Sequence, residues 1–505
     1  MQPADQHGAT GASLDVPDLP PDEFRRMATR AVEIVARYLE DPERWPVLPT
    51  ALRPGDLIER LPADAPVDGE PMERLLDDLE SLIMPATTHW NHPGFMAYFG
   101  ISGSGPGIIA ELLIAALNVN AMLWRSGPAQ TELEQVALAW LRRMMGLDDD
   151  AWHGQITDTA SSSTLWALAA AREHAGHDTR RLGLAGRPDV PRMRIYCSEE
   201  AHSSVDKAAI TIGLGVEGVR RVATDDRLRM DAAALRAAIA EDRAAGVLPI
   251  AVVATVGTTS TTAVDPVAAI ADVCEAEGVW LHVDAAYGGA AATLPELRPI
   301  MDGCERADSL VVNPHKWLFV PIDCSALYTR RPDVLRRAFS VVPVYLESEE
   351  TMNLMDYGVA LGRRFRALKL WFVLRWFGAA GVQARIREHI RLARLLDALV
   401  DADPEWQRPA QSEMSVVVMR WVGRACTQAE AEAKAEARPT EELDAINQAI
   451  IDRVNASGEV FISHTRVRGR LVVRVAIGNL RTTERHVRRA WQLIREAAAE
   501  VIAGR

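Results

Sequence analysis

Short β-branched runs alternate with Ala- and Leu-rich, helix-like segments through the middle of this 505-residue chain. The runs include "MRIYCS", "IAVVATVG", "VWLHVDAAYG" and "SLVVNPHKW", which cover 193–198, 250–257, 279–288 and 309–317. This alternation predicts an α/β fold in which helices cover a mostly parallel sheet. Ligands of such sheets bind at the carboxyl ends of the strands. Asp284 and Lys316 both fall at such ends.

The composition of the chain limits the partners that it can have. A formal net charge of −13 disfavours binding to nucleic acid or anionic lipid, so a small-molecule substrate is expected. The apolar runs are too short to cross a bilayer and no secretory signal pattern opens the chain, so we expect a cytoplasmic protein. Five widely spaced cysteines form no C-x-x-C pair, which predicts neither a metal site nor a disulfide framework. The sequence also lacks the motifs of P-loops, zinc proteases and serine hydrolases.

Lysine is rare in this chain, and its few positions are informative. Lysine occurs only at Lys207, Lys316, Lys369 and Lys434, so nearly all of the 56 cationic residues are arginine. Lysine can form an imine, whereas arginine cannot. Lys316 alone follows a predicted strand, which makes it a candidate for covalent chemistry; a structural lysine is the alternative.

Other polar residues supply what an aldehyde cofactor with a phosphate and a basic ring nitrogen requires. Asp284 can keep the ring nitrogen protonated, and His202 follows a strand and can stack on the ring. The stretch "TASSST" (159–164) opens a predicted helix, whose free N–H groups suit a phosphate. "GTTSTT" (257–262) ends another strand. Each feature has an ordinary alternative: a helix cap or turn former for Asp284, a surface histidine for His202 and a plain N-cap for "TASSST".

Five motifs in this chain together resemble the group II decarboxylases that depend on pyridoxal phosphate (PLP), in particular the aromatic-L-amino-acid decarboxylase branch. They are "IMPATTHWNHPGFMAYF", "AHSSVDKA", "WLHVDAAYGG", "NPHKW" and "GRRFRALKLWF". The resemblance runs in consistent order from about Asp22 to the last helix. It implies a fold-type I (aspartate aminotransferase-like) enzyme, working as a homodimer with shared active sites. The expected divisions are a helical arm and dimerisation segment at 1–104, a large PLP-binding domain at 105–372 and a small α+β domain at 373–505.

The resemblance also implies roles for individual residues. Lys316 becomes the Schiff-base lysine, Asp284 the partner of the pyridinium nitrogen and His202 the residue stacked on the ring. Further cofactor contacts are expected from Thr159, Ala160, Ser161, Thr259, Asn313, His315 and Gly362. Tyr345, in "VVPVYLESEE", matches a tyrosine on a mobile loop that helps to protonate the carbanion after CO2 leaves. A loop aromatic without a role is the alternative for Tyr345.

An aromatic substrate is expected because the resemblance places an apolar pocket on the "THWNHPGFMAYF" motif. Its lining residues would be Trp90, Phe95, Tyr98 and Phe99, although aromatics there can also serve core packing. Gly362 stands where related enzymes for indolic substrates tend to have glycine and those for phenolic substrates or histidine tend to have serine. It therefore favours a tryptophan-like substrate.

Some positions depart from the family pattern, and two other activities stay open. Family members often have "YFPT" where this chain has "YFGI" (98–101), and apolar residues where it has Asn120 and Met122. That segment is expected to reach the partner's site, where Asn120 could recognise a ring hydroxyl or a different substrate. The alternatives are an aldehyde synthase of the same family, in which the loop tyrosine or the stacking histidine is typically replaced, and a decarboxylase of a non-aromatic amino acid. A catalytically silent scaffold would have little reason to keep Lys316, Asp284 and His202 together.

Overall fold

The structure is a computed structural model that describes residues 18–341, 352–423 and 439–504. The chain divides into two compact units, residues 1–88 and residues 89–505. The predicted boundaries at 104 and 372 stay predictions. No helix within the described ranges is both long and apolar enough to span a membrane.

The first unit is helical, with helices at Pro21–Glu40, Asp56–Arg60 and Met72–Asp78. The longest helix begins with a proline at its first position, where the missing N–H costs no intrahelical bond. Ion pairs from Arg26 to Glu73 and from Arg30 to Asp77 tie it to the helix at Met72–Asp78. Phe24 and Val32 on the long helix are more than half exposed. The unit therefore presents apolar side chains that it does not itself bury.

A seven-stranded sheet forms the centre of the second unit. Its strands are β1 His153–Thr157, β2 Met193–Ser198, β3 Val219–Val222, β4 Leu248–Thr255, β5 Trp280–Asp284, β6 Ser309–Val312 and β7 Ser325–Thr329. They lie in the order β1-β7-β6-β5-β4-β2-β3, and only β7 runs antiparallel to its neighbours. The predicted mostly parallel α/β sheet is thus confirmed.

Helices cover this sheet, as the alternating sequence pattern predicts. They are Gly105–Leu117, Pro128–Met144, Ala160–His174, Thr179–Leu182, Ser204–Thr211, Ala232–Ala244, Val267–Glu277, Gly288–Ala291, Pro314–Trp317 and Pro332–Phe339. Strand β4 is buried along almost its whole length, which explains its continuous apolar sequence.

A second, antiparallel sheet follows in the C-terminal part of the chain. Its order is β10-β11-β9-β8, with β8 Trp406–Gln407, β9 Val416–Trp421, β10 Ser463–Val467 and β11 Arg470–Ala476. Helices Ala367–Asp401, Thr440–Ala456 and Glu484–Ala503 accompany it. The longest of them is broken at Gly378, whose φ of +64° is readily adopted only by glycine. This sheet and its helices form the predicted α+β part.

Burial is the main cause that lowers the pKa of four histidines of the second unit to about 4: His153, His282, His315 and His389. They are neutral in the folded chain at pH 5, whereas an unfolded histidine titrates near pH 6.5. The unfolded state then binds more protons, so the free energy of unfolding falls as the pH drops from about 7 to about 5.

We expect each buried histidine to contribute roughly 2 kcal/mol to that loss. Urea titrations at pH 7 and pH 5 measure it. In His153→Gln the loss should be smaller than in the wild type by about that amount. Equal pH dependence in His153→Gln and the wild type would contradict the prediction.

Candidate active site

Three adjacent parallel strands end side by side and carry polar residues at their ends. Thr255 is the last residue of β4 and pairs in register with Asp284, the last residue of β5. Asn313 follows β6 and precedes the short helix Pro314–Trp317, on which Lys316 lies. The fold therefore brings Asp284 and Lys316 to the same edge of the sheet.

A pocket of about 180 Å³ lies at this edge. Its lining includes ten residues predicted to contact cofactor or substrate, namely Phe99, Thr159, Ala160, Ser161, His202, Thr259, Asp284, Asn313, His315 and Lys316. Five further residues, which belong to the sequence motifs but were given no individual role there, complete its wall: Ser204, Thr255, Gly257, Ala286 and Tyr287. Side chains far apart in the sequence are thus collected around one small cavity.

The amine of Lys316 lies among groups that act on its charge in opposite ways. Burial lowers the pKa of Lys316, the cation of Arg474 lowers it further, and the carboxylate of Asp284 opposes both. The Nζ atom lies 5.1 Å from the centre of the Phe99 ring, within cation–π range. A lowered pKa leaves more of the amine neutral, and the neutral amine is the form that attacks a carbonyl carbon.

Asp284 and His202 are each oriented by a backbone N–H group. Oδ1 of Asp284 accepts a hydrogen bond from the N–H of Ala286 at 3.0 Å. Nδ1 of His202 accepts one from the N–H of Ser204 at 3.1 Å. Burial lowers the pKa of His202, against the attraction of Asp284. A neutral His202 with Nδ1 as acceptor carries its proton on Nε2. The imidazole therefore presents an uncharged ring with a fixed tautomer.

Other residues that line the pocket suit an anion. Thr159 is the N-cap of the 15-residue helix Ala160–His174, and the first N–H groups of a helix have no partner within it. Nδ1 of His315 accepts a hydrogen bond from the N–H of Cys324 at 3.0 Å. Burial, with a contribution from Lys316, lowers the pKa of His315 to about 4, so its Nε2 is a neutral N–H donor.

Two buried polar atoms of residues that line the pocket have no hydrogen-bond partner among the described residues. They are Oγ1 of Thr255 and Oδ1 of Asn313. An unsatisfied buried polar group costs about 1–3 kcal/mol, so these atoms favour a ligand that is itself rich in polar groups. PLP fits this donor and acceptor set, because it has an aldehyde for Lys316, a basic ring nitrogen for Asp284 and a phosphate for the helix start.

Arg474 is a residue of the site that sequence reasoning missed. It lies on β11, buried, with its guanidinium 4.9 Å from the centre of the Phe99 ring. Its Nε donates to the carbonyl of Thr259 at 3.0 Å and its Nη1 to that of Tyr98 at 2.7 Å, while Nη2 has no partner among the described residues. Burial lowers the pKa of Arg474 to about 10, which still leaves it a cation at neutral pH.

The signal for Arg474 was present in the sequence as a single arginine within the apolar run "LVVRVAIG". A buried strand can carry a charged residue only if other groups in the fold satisfy it. Those groups come from residues more than 200 positions away, such as Thr259. Sequence alone could mark the residue as unusual but could not give its neighbours.

Of the four aromatic residues predicted to line a substrate pocket, only Phe99 lines this cavity. Its ring stacks on Tyr287 with centres 3.8 Å apart. Trp90 stacks on Phe95 at 4.1 Å, and Phe95 is almost fully buried, which matches the core-packing alternative. Tyr98 is 55% exposed and has a φ of +53°. The three residues other than Phe99 thus form a neighbouring aromatic cluster.

The remaining predicted residues lie away from the lining of this cavity. Oδ1 of Asn120 accepts a hydrogen bond from the N–H of Arg363 at 2.9 Å, and its Nδ2 lies 3.4 Å from the sulfur of Met122. Both polar groups of Asn120 therefore have partners within the chain. A Cβ added to Gly362 would meet no atom within 4 Å, so this position is open. Tyr345 lies outside the described residues.

Comparison with known proteins gives similarity over nearly the whole chain. The pyridoxal-dependent decarboxylase conserved domain matches residues 54–422. The aromatic-L-amino-acid decarboxylase of Sus scrofa is 38% identical over 498 residues, which cover 95% of this chain and 97% of the relative. The structure of Oryza sativa TDC with PLP and tryptamine has a TM-score of 0.89 at 36% identity, covering 96% of this chain and 99% of that one. Rhodiola rosea 4-hydroxyphenylacetaldehyde synthase has a TM-score of 0.86 at 31% identity, covering 95% and 99%.

Proposed function

This chain belongs to the family of pyridoxal-dependent decarboxylases, and from that premise we propose that it converts an aromatic L-amino acid to the corresponding amine and CO2. The family and the fold-type I architecture expected from the motifs are thereby confirmed. The observation that carries the proposal is one pocket lined by a lysine, an aspartate and a histidine next to an anion-binding helix start. The similarity to the decarboxylase of Sus scrofa supports the aromatic class of substrate.

PLP, when bound, accepts into its protonated ring the electron pair of the bond that breaks at Cα. In our proposal the Nζ atom of Lys316 holds it covalently, and Asp284 keeps its ring nitrogen protonated. His202 packs against its ring. The first N–H groups of helix Ala160–His174 and Nε2 of His315 bind its phosphate.

The substrate must enter as an amine and a carboxylate with an apolar side chain. Lys316 accepts a proton when the substrate amine takes its place, and it returns a proton when the product amine leaves. The buried cation of Arg474 lies at the edge of the site, where it attracts the substrate carboxylate. Phe99 offers an aromatic face to the ring of the substrate. Our preference for a tryptophan-like substrate rests on the glycine at position 362, where related enzymes for indolic substrates tend to have glycine.

After CO2 has left, a proton must return to Cα. We assign this step to the hydroxyl of Tyr345, on the strength of its motif alone. A decarboxylase of this kind has to protonate Cα faster than dissolved oxygen reacts there, because oxygen would divert the reaction to an aldehyde. The presence of both Tyr345 and His202 supports the amine as the product.

A homodimer and a cytoplasmic location are also part of the proposal. Helix Gly105–Leu117 exposes Ile109, Leu112 and Leu117, each by more than half of its surface, and a second copy of the chain would remove such a face from water. The cysteines in the described part of the chain, Cys197, Cys274, Cys304 and Cys324, are free and buried. Free thiols are usual in a reducing compartment.

A panel of amino acids tests the proposed function. The purified protein, loaded with PLP, is incubated with tryptophan, tyrosine, histidine or glutamate, and CO2, amine and aldehyde are measured in the same reaction. We expect equal amounts of CO2 and amine from an aromatic substrate, with tryptophan turned over fastest. Aldehyde with ammonia and peroxide in place of amine would support the aldehyde synthase. No CO2 from any aromatic amino acid would contradict the proposal.

A further inference from the structure

The segment that carries Lys316 cannot hold its own position. Pro314–Trp317 is a helix of only four residues, too short to be stable by its own hydrogen bonds. The direction of the Lys316 amine therefore depends on how the neighbouring residues are anchored. The next residue, Trp317, has no exposed surface at all. Its indole ring is the largest side chain that attaches this short helix to the core.

Trp317 is held by stacking and by one directed hydrogen bond. Its ring lies parallel to that of Tyr287, with centres 4.6 Å apart, and Tyr287 itself lines the active-site pocket. Its Nε1–H donates to Nδ1 of His389 at 2.9 Å. Stacked rings can slide or turn in their plane, whereas a hydrogen bond fixes the position of one edge. The bond to His389 thus determines where Trp317 lies in the stack.

His389 has its second ring nitrogen occupied as well. Nε2 lies 3.0 Å from the carbonyl oxygen of Asn479, which can only accept. Because Nδ1 accepts from the indole, the single ring proton is on Nε2 and points at that carbonyl. The side-chain amide of Asn479 donates in turn to the carbonyls of Trp90 and His92, at 2.9 and 3.1 Å. His389 therefore bonds with a single tautomer to Trp317 on one side and to the segment after β11 on the other.

We propose that His389 is a positioning residue for the reaction: by fixing Trp317, it aims the amine of Lys316 into the pocket. The inference rests on the proposed function for the role of Lys316. It adds a requirement for a neutral histidine that is hydrogen-bonded at both ring nitrogens. This histidine lies on the helix Ala367–Asp401 and does not itself line the pocket. A histidine that merely filled the core would be replaceable by an apolar residue without kinetic effect.

Three variants separate positioning from packing. Trp317→Phe removes the donor and keeps a stacked ring, His389→Leu removes both bonds, and His389→Gln keeps an acceptor and a donor. We expect the first two to lower kcat by about tenfold with KM changed less than about twofold, because a misaimed amine slows the chemical steps rather than binding. The double variant should be no slower than the slower single variant, since both remove one interaction.

His389→Gln should recover kcat to within about threefold of the wild type, since its amide can both accept and donate. His153→Leu is the matched control, because it removes another histidine whose pKa is lowered by burial and that does not line the pocket. We expect it to lower thermal stability and leave kcat of the folded protein unchanged. Wild-type kcat in folded Trp317→Phe and His389→Leu would overturn the proposal, as would an equal loss of kcat in His153→Leu.

A second measurement does not depend on turnover. In the cofactor-free protein, trinitrobenzenesulfonate labels neutral amines, and peptide mass spectrometry gives the labelling rate of Lys316 at each pH. We expect the midpoint of this pH profile to shift in Trp317→Phe and His389→Leu and to stay unchanged in His153→Leu. A shift together with an inactive wild type would contradict the proposed function but support positioning. Unchanged midpoints in both variants would overturn the positioning role.

Discussion

Replacing Lys316 with alanine is expected to abolish decarboxylation and leave the fold intact. A primary amine is required to hold an aldehyde cofactor covalently and to take part in proton transfer at Cα, and among the described residues that line the pocket no other side chain can form an imine. The loss in kcat should be on the order of four orders of magnitude or more, as for the removal of other covalent catalysts. Alanine adds no bulk, so the stacking of Phe99 on Tyr287 should persist.

Two controls make this result interpretable. Lys207 is an exposed lysine on helix Ser204–Thr211, so Lys207→Ala should retain wild-type kcat. The Lys316→Ala protein should also lose the near-visible absorbance of covalently bound PLP, although it can still bind the cofactor through the phosphate-binding end. A small primary amine added to the solution is expected to restore part of the activity. Sustained turnover by a folded Lys316→Ala protein without added amine would refute the assignment.

The central sheet was predictable because its strands are short-range features of the sequence. Residues 250–254 are all apolar, which is what burial on both faces of a parallel sheet requires. The strand ends then followed from the same pattern, and with them the meeting of Asp284 and Lys316. The reversed direction of β7 was not predictable, because direction depends on how a connection crosses the sheet.

The aromatic motif was predictable in composition but not in orientation. Phe95, Tyr98 and Phe99 lie within five residues, so spacing alone suggested that all would face one pocket. The backbone turns at Tyr98, whose φ of +53° is unusual for a bulky residue, and this sends Phe99 into the cavity while Tyr98 stays exposed. A local conformation of this kind leaves no regular trace in the sequence.

Hydrogen-bond partners that are distant in the chain explain why the surroundings of two further residues were not predicted. The amide oxygen of Asn120 is satisfied by the N–H of Arg363, and the guanidinium of Arg474 by carbonyls that include that of Tyr98. Each pair joins residues more than 200 positions apart in the chain. A polar residue in an apolar stretch can be recognised from sequence, but whether it faces a ligand or a distant part of its own chain depends on the tertiary fold.

A second large loss of activity is expected when Asp284 is replaced with asparagine, because this substitution changes the charge of the side chain without changing its shape. In Asp284→Asn the side-chain oxygen can still accept the hydrogen bond from Ala286 that the carboxylate accepts at 3.0 Å. The buried position at the end of β5 is also retained. What the amide lacks is the negative charge that favours a protonated ring nitrogen. Cofactor binding should therefore survive while the reaction loses its electron acceptor.

We expect kcat of Asp284→Asn to fall by about three orders of magnitude at saturating PLP, with cofactor content close to that of the wild type. The buried carboxylate of Asp242, which accepts a hydrogen bond from Tyr196 away from the pocket, provides the control: Asp242→Asn should lower stability but not kcat. Loading with N-methylated PLP separates charge from shape, because its ring nitrogen is positive whatever residue stands opposite. It should return part of the lost activity to Asp284→Asn and none to Lys316→Ala. A kcat near that of the wild type in Asp284→Asn would mean that this aspartate only orders the turn after β5.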